Sequence, residues 1–321
     1  MNAIRSELVA VLLAVQDEVP LVLTLDQGRN LPSGPLETAH SSLQRGMRLW
    51  VERQTQCHLG HIEQLYTFAE ASAQDHPRLI RISYMGLTRL GNMQADWRNL
   101  YEYFPWENRR DCGSEARGET GRETGGETGS ATGEAGSPGD GAETRQGADT
   151  AIARALMRWA GKDAARRWRC EQNFGLAGQP WNDELVLHRY ELLWEAGLLP
   201  ESTRPGAWTV PGRPMPQDRR RILATALARL RAKIRYRPVV FELMPETFTL
   251  WQLQRTVEAI AGRPLHKQNF RRLILQQDLV EETGGFEPLP QGRPARLYRF
   301  RGDVIGGRQL MGSKLPIARS V

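Results

Sequence analysis

A low-complexity segment divides this chain of 321 residues into two parts. Between Gly113 and Gly147 it holds 11 of the chain's 31 glycines, and among the apolar residue types only alanine occurs there. Ordering a residue costs about 1–2 kcal/mol of chain entropy, and a segment with so little apolar surface cannot offset that cost by burial. We therefore expect residues 112–149 to be a disordered insertion, a solvated spacer between two structured parts.

The length and charge of the chain favour a basic protein of two domains. A domain has about 100–200 residues, so this length suggests two of them. Lys and Arg total 43 against 37 Asp and Glu, a net charge of +6. No stretch approaches the ~20 apolar residues that span a bilayer. The apolar run Val9–Val15 lacks the basic flank of a signal peptide. We expect a cytoplasmic location.

The cysteines and histidines form no metal or disulfide pattern. Cys57, Cys112 and Cys170 are odd in number and far apart, which gives no disulfide framework and agrees with a reducing compartment. His58 and His61 lie beside Cys57 without another ligand at the usual spacing. We therefore expect no metal site and no resident cofactor.

The first structured part alternates between strand and helix patterns. Leu8–Val15 and Leu21–Leu25 are short apolar runs typical of strands. Helical spacing follows over Thr38–Gln54, and strand patterns return at Leu59–Phe68 and Leu79–Leu87. This order predicts an α/β domain built around a mixed sheet.

Aromatic residues are concentrated just before the insertion. The cluster consists of Trp97, Tyr101, Tyr103, Phe104 and Trp106. We interpret it as core or interface packing. The alternative is a platform on which a nucleic-acid base stacks.

Two helices and a Pro/Gly-rich segment are predicted after the insertion. The helices cover Ile152–Trp168 and Asp183–Ala196, the second capped by Asn182 or Asp183 and ended by Gly197. The segment that follows, residues 201–217, is predicted to be a hinge between domains.

Positive charge is concentrated in the last third of the chain. Between Asp218 and Arg272 there are 13 Lys and Arg residues against 4 acids. A helix from 218 to about 235 starts this region. Local clustering of cations is the electrostatic pattern of a surface that meets phosphates.

Two short helices within the basic region have helix-turn-helix spacing. Thr249 caps the first, which ends at Gly262, and the second runs from about His266 to Gln277. Arg pairs with guanine, Gln or Asn with adenine, and Lys neutralises phosphate. The second helix presents such donors at Lys267, Gln268, Asn269, Arg271 and Arg272.

A basic β-hairpin is predicted to follow the second helix. A strand begins at Leu279-Val280, Gly284-Gly285 turns the chain, and Leu297–Phe300 returns. Arg293 and Arg296 lie between them and can reach a groove or the DNA backbone. A merely solvated helix face is the alternative for Arg271 and Arg272, but helix, turn, basic helix and basic hairpin in series favour a winged helix-turn-helix.

Three segments of the first part resemble a known family. Leu31–Gly34 is similar to a Leu-Pro-Gly-Gly segment, and Trp50–Gln56 is similar to the second half of a Nudix box, both of which are features of the Nudix family. Gly60–Phe68 resembles the strand after the box in the Nudix-related transcriptional regulators of NAD metabolism, the NrtR-like and NadQ-like repressors.

The last part resembles the winged helix-turn-helix of the same regulators. The segments that carry this likeness are Tyr236–Pro238, Phe241–Pro245, Asn269–Arg272 and Gly292–Tyr298. Tyr103–Glu107 and Trp181–Leu185 look more like the NadQ-like branch. The resemblance covers residues 5–111 and 150–302. It implies a Nudix-like α/β (α+β) sandwich (1–111 and 150–200), a winged helix domain (218–303) and a flexible tail (304–321).

The Nudix box departs from the catalytic pattern. The metal-binding glutamates of the family fall on Trp50, Arg53 and Gln54, while Glu52 occupies a variable position. These residues cannot replace carboxylates as ligands of Mg²⁺. We therefore expect no catalytic residues and no enzyme activity, with the domain kept as a sensor.

The resemblance implies a repressor of NAD biosynthesis genes that binds a DNA operator as a homodimer and senses an adenine nucleotide such as ADP-ribose, NAD or ATP. Candidate phosphate partners are Arg29, Arg48 and Arg53, and Trp50 or Tyr66 are candidates for stacking on adenine; plain surface or core roles remain open for each. Two alternatives are kept: a working Nudix hydrolase with an appended nucleic-acid domain, and an RNA-binding or scaffold protein that uses the aromatic cluster.

Overall fold

The computed structural model describes residues 4–57, 59, 62–69, 78–90, 95–110, 138–236, 239–288 and 294–301. Its first domain is a mixed sheet with strand order β4-β5-β1-β2-β6, in which β3 pairs with β1. Only β1 and β5 run parallel among the paired strands of this sheet in the described residues. The elements are β1 (Ile4–Gln16), β2 (Val19–Thr24), β3 (Ser33–Pro35), α1 (Leu43–Thr55), β4 (Ile62–Ala69), β5 (Arg78–Leu87) and β6 (Asp96–Asn99).

Strand β1 is apolar along both faces because both faces are covered. Leu8 and Leu12 point to one side, where they pack with Met47 and Val51 of α1. The residues between them, such as Val9, belong to the core on the other side, which the later helices cover. The predicted mixed α/β sandwich is confirmed. The continuous apolar run of β1 is typical of a central strand that is covered on both faces.

The aromatic cluster is core. Tyr101, Tyr103, Phe104 and Trp106 are buried, on or beside two short 3-10 turns at Leu100–Glu102 and Pro105–Glu107. Trp97 packs against the smaller core on the α1 side. The structure supports the packing interpretation, because no face of the four buried rings is open to a base.

Helices cover the second face of the sheet and lead to the last domain. They are α2 (Pro138–Ala160), α3 (Ala164–Phe174), α4 (Val186–Glu195), α5 (Arg219–Tyr236), α6 (Leu250–Ala261) and α7 (Lys267–Gln276), followed by β7 (Val280–Glu287) and β8 (Ala295–Phe300). No described helix is long and apolar enough to cross a bilayer.

Residues 138–149, which the sequence predicts to be disordered, belong to a helix. Residues 111–137 lie outside the described residues, but α2 already begins at Pro138. Its later turns are anchored by buried Ile152 and Leu156 and by an ion pair of 2.9 Å between Arg109 and Asp149. Each residue added to an anchored helix gains a hydrogen bond, so the helix extends back into the low-complexity sequence.

The predicted helix over 152–168 is two helices. Gly161 has a left-handed backbone with φ of 55°, and Asp163 begins α3 by accepting hydrogen bonds from the amides of Ala165 and Arg166. Helix α4 starts at Val186, later than expected, and neither Asn182 nor Asp183 is its N-cap. The Asp183 carboxylate instead binds arginines elsewhere in the chain.

Backbone hydrogen bonds connect residues 201–217, the predicted hinge, to the first domain. The Val210 amide donates to the Leu198 carbonyl at 2.8 Å, and the Arg213 amide donates to the Glu102 carbonyl at 2.7 Å. Helix α5, which follows, packs against α4, β1 and β4 as well as α6. Helix α5 therefore adjoins both the first and the last domain, and the boundary predicted at residue 217 stays a prediction.

Two details of the last domain also differ from the sequence interpretation. Gly284 and Gly285 lie inside β7, where pairing with β8 shifts register between Glu282 and Phe286 and Gly284 has φ of 77°. They form a bulge, and β7 continues past them to Glu287. The predicted tail at 304–321 and Arg293 lie outside the described residues.

Candidate nucleic-acid interface and nucleotide cleft

Helices α6 and α7 are defined by strong local signals. The Thr249 hydroxyl accepts from the Gln252 amide, and the Gln252 side chain accepts from the Thr249 amide, which forms a capping box. Gly262 ends α6 with φ of 71°. His266 then caps α7 through its side chain. The turn between the helices is short, as a helix-turn-helix requires.

Helix α7 turns its donors outward. Phe270 and Ile274 are buried and fix the helix on the domain core. All five predicted contact residues are exposed: Lys267, Gln268, Asn269, Arg271 and Arg272. Lys267, Arg271 and Arg272 form no ion pair within the described residues. Their charges are therefore available to phosphates and base edges.

The hairpin is less basic than its sequence suggested. The exposed Arg296 side chain pairs with Glu282 at 2.7 Å, and Arg299 pairs with Glu281 at 2.5 Å. Such exposed pairs contribute little energy. A DNA phosphate can therefore replace Glu282 as the partner of Arg296, but the described residues of the hairpin present less free positive charge than α7.

A cleft of about 450 Å³ lies where β2 ends, β6 begins and α1 ends. Asp96 organises one side: its carboxylate accepts from the Gly28 amide at 2.9 Å, from the Thr24 hydroxyl at 3.0 Å and from Arg98 at 2.6 Å. The lining consists of Thr24, Leu25, Asp26, Gln27, Gln54, Thr55, Gln56, Ala95 and Asp96.

The cleft is adjacent to the box helix but is not lined by the five predicted ligand residues. Arg48 donates to the Leu59 carbonyl. The Trp50 indole donates to the Pro35 carbonyl at 2.9 Å, and its ring covers Gly34. These contacts give Trp50 and Arg48 structural roles, and their roles in ligand binding stay predictions. Of the predicted box positions, Gln54 contributes to the lining.

Arg29, Arg53 and Tyr66 are exposed outside the lining. The Arg53 guanidinium lies 5.8 Å from the centre of the Trp50 ring. Tyr66 is on β4, at the edge of the sheet, beside Phe68. Their roles in ligand binding stay predictions.

Asp26, Gln27 and Asp96 were missed by the sequence interpretation. Asp26, Gln27 and Gln56 share a rare feature, a left-handed backbone in residues other than glycine, with φ of 53°, 59° and 57°. Such conformations are concentrated at functional sites. Asp26-Gln27-Gly28 is a turn signature in the sequence, but nothing local indicates that it meets Asp96.

The cleft does not contain a metal-binding cluster of the usual kind. Across the residues that the structure describes, no three His, Cys, Asp or Glu side chains are grouped as metal ligands. Asp96 is already bonded to Arg98, and Glu52 is not in the lining. Amides and carboxylates are nevertheless suited to bind hydroxyl groups of a ligand.

The two domains meet through a buried charge cluster. Glu107 is fully buried and binds Arg189 at 2.5 Å and Arg231 at 2.5 Å. Asp183 extends the cluster to Arg263, in the turn before α7, at 3.2 Å. Burial opposes ionisation of Glu107, but the two guanidinium groups outweigh it and keep the pKa of that carboxyl below its usual value.

Comparison with known proteins identifies the last domain. The family model of the NrtR DNA-binding winged helix domain matches residues 240–300. The chain is 43% identical over 83 residues to the ADPR responsive transcriptional repressor NtrR of Acinetobacter baylyi. That match covers 26% of this chain and 33% of the relative, so it spans about a third of the relative's length.

Solved structures resemble the chain along almost its whole length. Shewanella oneidensis NrtR complexed with a 27mer DNA superposes with a TM-score of 0.50 at 19% identity, over 94% of this chain and 95% of that one. Shewanella oneidensis NrtR in a second structure gives a TM-score of 0.50 at 18% identity, over 93% and 94%. The likeness to the NadQ-like branch stays a prediction. The resemblance to NrtR-like Nudix regulators is confirmed: the chain joins a Nudix-like α/β domain to an NrtR winged helix domain at residues 240–300.

Proposed function

We propose that the protein is a DNA-binding transcriptional repressor that responds to an adenine nucleotide, with ADP-ribose as the first candidate. The observation that carries this proposal is α7, whose exposed donors stand free on a domain of the NrtR DNA-binding type. The related Acinetobacter protein is named as an ADPR responsive repressor. The genes of NAD biosynthesis are the proposed targets, and the cytoplasm is the proposed location.

The cleft beside α1 is the proposed effector site. Its volume of about 450 Å³ lies within the usual range of about 300–1,000 Å³ for small-molecule pockets. Carboxylates such as Asp26 and the amides of Gln27 and Gln56 suit ribose hydroxyls, and Arg98, which is bonded to Asp96, is a cation beside the cleft for a phosphate. No resident cofactor is needed for this role.

A homodimer is the proposed state on DNA. Helix-turn-helix proteins usually pair on half-sites about 34–36 Å apart, one helical turn of DNA. Two copies of α7 at this spacing would read a pseudo-palindromic operator. Sedimentation of the protein with a duplex containing both half-sites tests this, and one protomer per duplex at saturation would contradict it.

The DNA-binding part is tested with two variants of equal charge. Arg271→Ala/Arg272→Ala removes two exposed arginines from α7, and Arg166→Ala/Arg167→Ala removes two from α3. Fluorescence anisotropy measures the affinity for a duplex from the upstream region, at ~150 mM salt to suppress nonspecific binding. We expect only the α7 variant to lose affinity. Equal losses would show that net charge, and not α7, determines binding.

Hydrolysis by the first domain is the second candidate function, and the box disfavours it. The family glutamate positions carry Trp50, Arg53 and Gln54, which do not bind Mg²⁺ as carboxylates do. We propose that the domain is not an enzyme. Incubation with Mg²⁺ and ADP-ribose should leave the nucleotide intact, and turnover that is lost in Glu52→Gln would support the hydrolase instead.

A further inference from the structure

The sensor domain caps the carboxyl end of α6. The last carbonyl groups of a helix have no partner within it. Here the Tyr101 hydroxyl donates to the Ala259 carbonyl at 2.6 Å, and the Arg231 Nε donates to the Ile260 carbonyl at 2.9 Å. The Arg109 amide donates to the Gly262 carbonyl at 2.5 Å. The first helix of the helix-turn-helix is therefore completed by Tyr101 and Arg109 of the sensor domain and by Arg231 of α5.

The contact at Gly262 is too close for a side chain. A Cβ at this position would meet the Glu107 carbonyl oxygen, the Arg231 guanidinium and the Tyr101 hydroxyl. Arg263, the next residue, pairs with Asp183. The turn that leads into α7 is thus fixed on both sides, and α7 cannot change its position relative to the sensor domain without disturbing these bonds.

Tyr101 is also connected to the effector cleft through one short strand. Asp96 lines the cleft and is the first residue of β6, which ends at Asn99. The Asn99 side chain then accepts from the Tyr101 amide at 2.9 Å and starts the 3-10 turn. A strand rises about 3.3 Å per residue, so the four residues of β6 span roughly 10 Å. This strand and the turn after it connect the cleft to the carboxyl end of α6.

We propose that Tyr101 is the positioning residue that couples effector binding to DNA binding. This inference rests on the proposed function. A nucleotide that contacts Asp96 displaces β6 relative to β2, and the displacement reaches the Tyr101 hydroxyl. Its bond to Ala259 then differs between the free and the nucleotide-bound protein, which gives the two states different placements of α7. A ligand can regulate only through such a difference between two states.

The test is Tyr101→Phe, which removes one hydroxyl from a buried ring. The quantity to measure is the coupling factor, the ratio of the dissociation constants for the operator duplex with and without saturating ADP-ribose. Coupling of about 5-fold to 150-fold is typical. We expect the coupling factor of the wild type to fall within this range and that of Tyr101→Phe to lie within about twofold of 1. ADP-ribose should still bind the DNA-free variant with wild-type affinity.

Tyr190→Phe is the matched control. Tyr190 is equally buried, and its hydroxyl donates to Glu201 at 3.3 Å, inside the sensor domain and away from α6. A role in stability alone lowers the melting temperature of both variants and leaves the coupling factor unchanged. Loss of coupling in Tyr101→Phe but not in Tyr190→Phe supports the proposal. Because coupling is reciprocal, the loss must also appear when DNA is added to the ADP-ribose titration.

Gly262→Ala gives a second route to the same contact from the DNA-binding side. Its Cβ would push α6 away from the Glu107 carbonyl and the Tyr101 hydroxyl while every residue of the cleft is unchanged, and it should also bring the coupling factor close to 1. Wild-type coupling in both Tyr101→Phe and Gly262→Ala overturns this inference and leaves the proposed function standing. A wild type that binds the operator but shows no coupling overturns both.

Discussion

Glu107 and Arg189 form a bidentate ion pair in which both side chains are fully buried. Arg189 donates from Nε at 2.5 Å and from Nη2 at 2.8 Å to the two carboxylate oxygens, and neither side chain is exposed. Arg231 binds the same carboxylate from α5. One anion therefore holds two buried cations at the contact between the first and the last domain.

Replacing Glu107 with Gln should strongly destabilise the protein. The variant keeps the shape but leaves two buried guanidinium groups without a charged partner, and breaking a buried pair in this way costs about 3–5 kcal/mol. Urea unfolding of the full chain measures the change. Glu195→Gln is the control, because its pair with Arg169 is half exposed and should contribute less than about 1 kcal/mol. Equal effects of the two variants would contradict this assignment.

Stability should fall in acid because of the same carboxyl. The folded-state pKa of Glu107 lies below 4.5, since Arg189 and Arg231 outweigh the effect of burial. The Glu7 pKa is also lowered, against burial, by Arg219 and Arg81. A carboxyl whose pKa is lowered on folding stabilises the fold at pH values above its unfolded-state pKa near 4.5. This contribution is lost as the pH falls through the folded-state pKa. The free energy of unfolding, measured from pH 7 downwards, should fall less steeply in Glu107→Gln than in the wild type. An identical fall in both proteins would argue against this role of Glu107.

Single substitutions on α7 should separate base reading from phosphate contact. Arg272→Ala should reduce the preference for the operator over a scrambled duplex by about 1–3 kcal/mol. Lys267→Ala should weaken both duplexes alike and lower the slope of log affinity against log salt by about 0.9. Isotherms at several salt concentrations distinguish the two effects. If both variants behaved alike, the assigned contacts would be wrong.

The helix-turn-helix was predictable because its determinants are local. The Thr249 capping box, Gly262 and the buried face of α7 are all set by residues close together in sequence. Local sequence is misleading at Gly284-Gly285, because glycine with a left-handed backbone is common both in turns and in bulges such as this one. The Pro/Gly content of 201–217 likewise does not show that the Arg213 amide bonds to Glu102, or that Arg220 connects Glu201 to the Tyr103 carbonyl.

The cleft was not predictable from sequence patterns. Asp96 meets Gly28 and Thr24 only because β2 and β6 pair, and the residues are about seventy positions apart. The Glu107 cluster has the same origin, since its partners come from α4 and α5. Contacts between distant residues depend on the assembled sheet and helices, which a local pattern does not report.

Asp96→Asn should weaken effector binding. The variant removes the charge that holds the Gly28 amide and Arg98 beside the cleft, and hydrogen bonds to a charged group contribute about 1.5–3 kcal/mol. Titration calorimetry with ADP-ribose should show at least a ~10-fold loss, which corresponds to 1.4 kcal/mol. Asp163→Asn is the control, because Asn serves equally well as the cap of α3. Unchanged affinity in Asp96→Asn would place the effector elsewhere.

The most direct test of the account is a gel shift of the purified protein on its own upstream region. It is run at ~150 mM salt with excess nonspecific duplex, since phosphate contacts alone give strong binding at low salt. ADP-ribose, NAD and ATP are then titrated into the complex. We predict a discrete complex with the upstream duplex, absent with a scrambled one, whose dissociation constant changes at least ~5-fold with one of the nucleotides. Equal binding to both duplexes, unaffected by any nucleotide, would contradict the account.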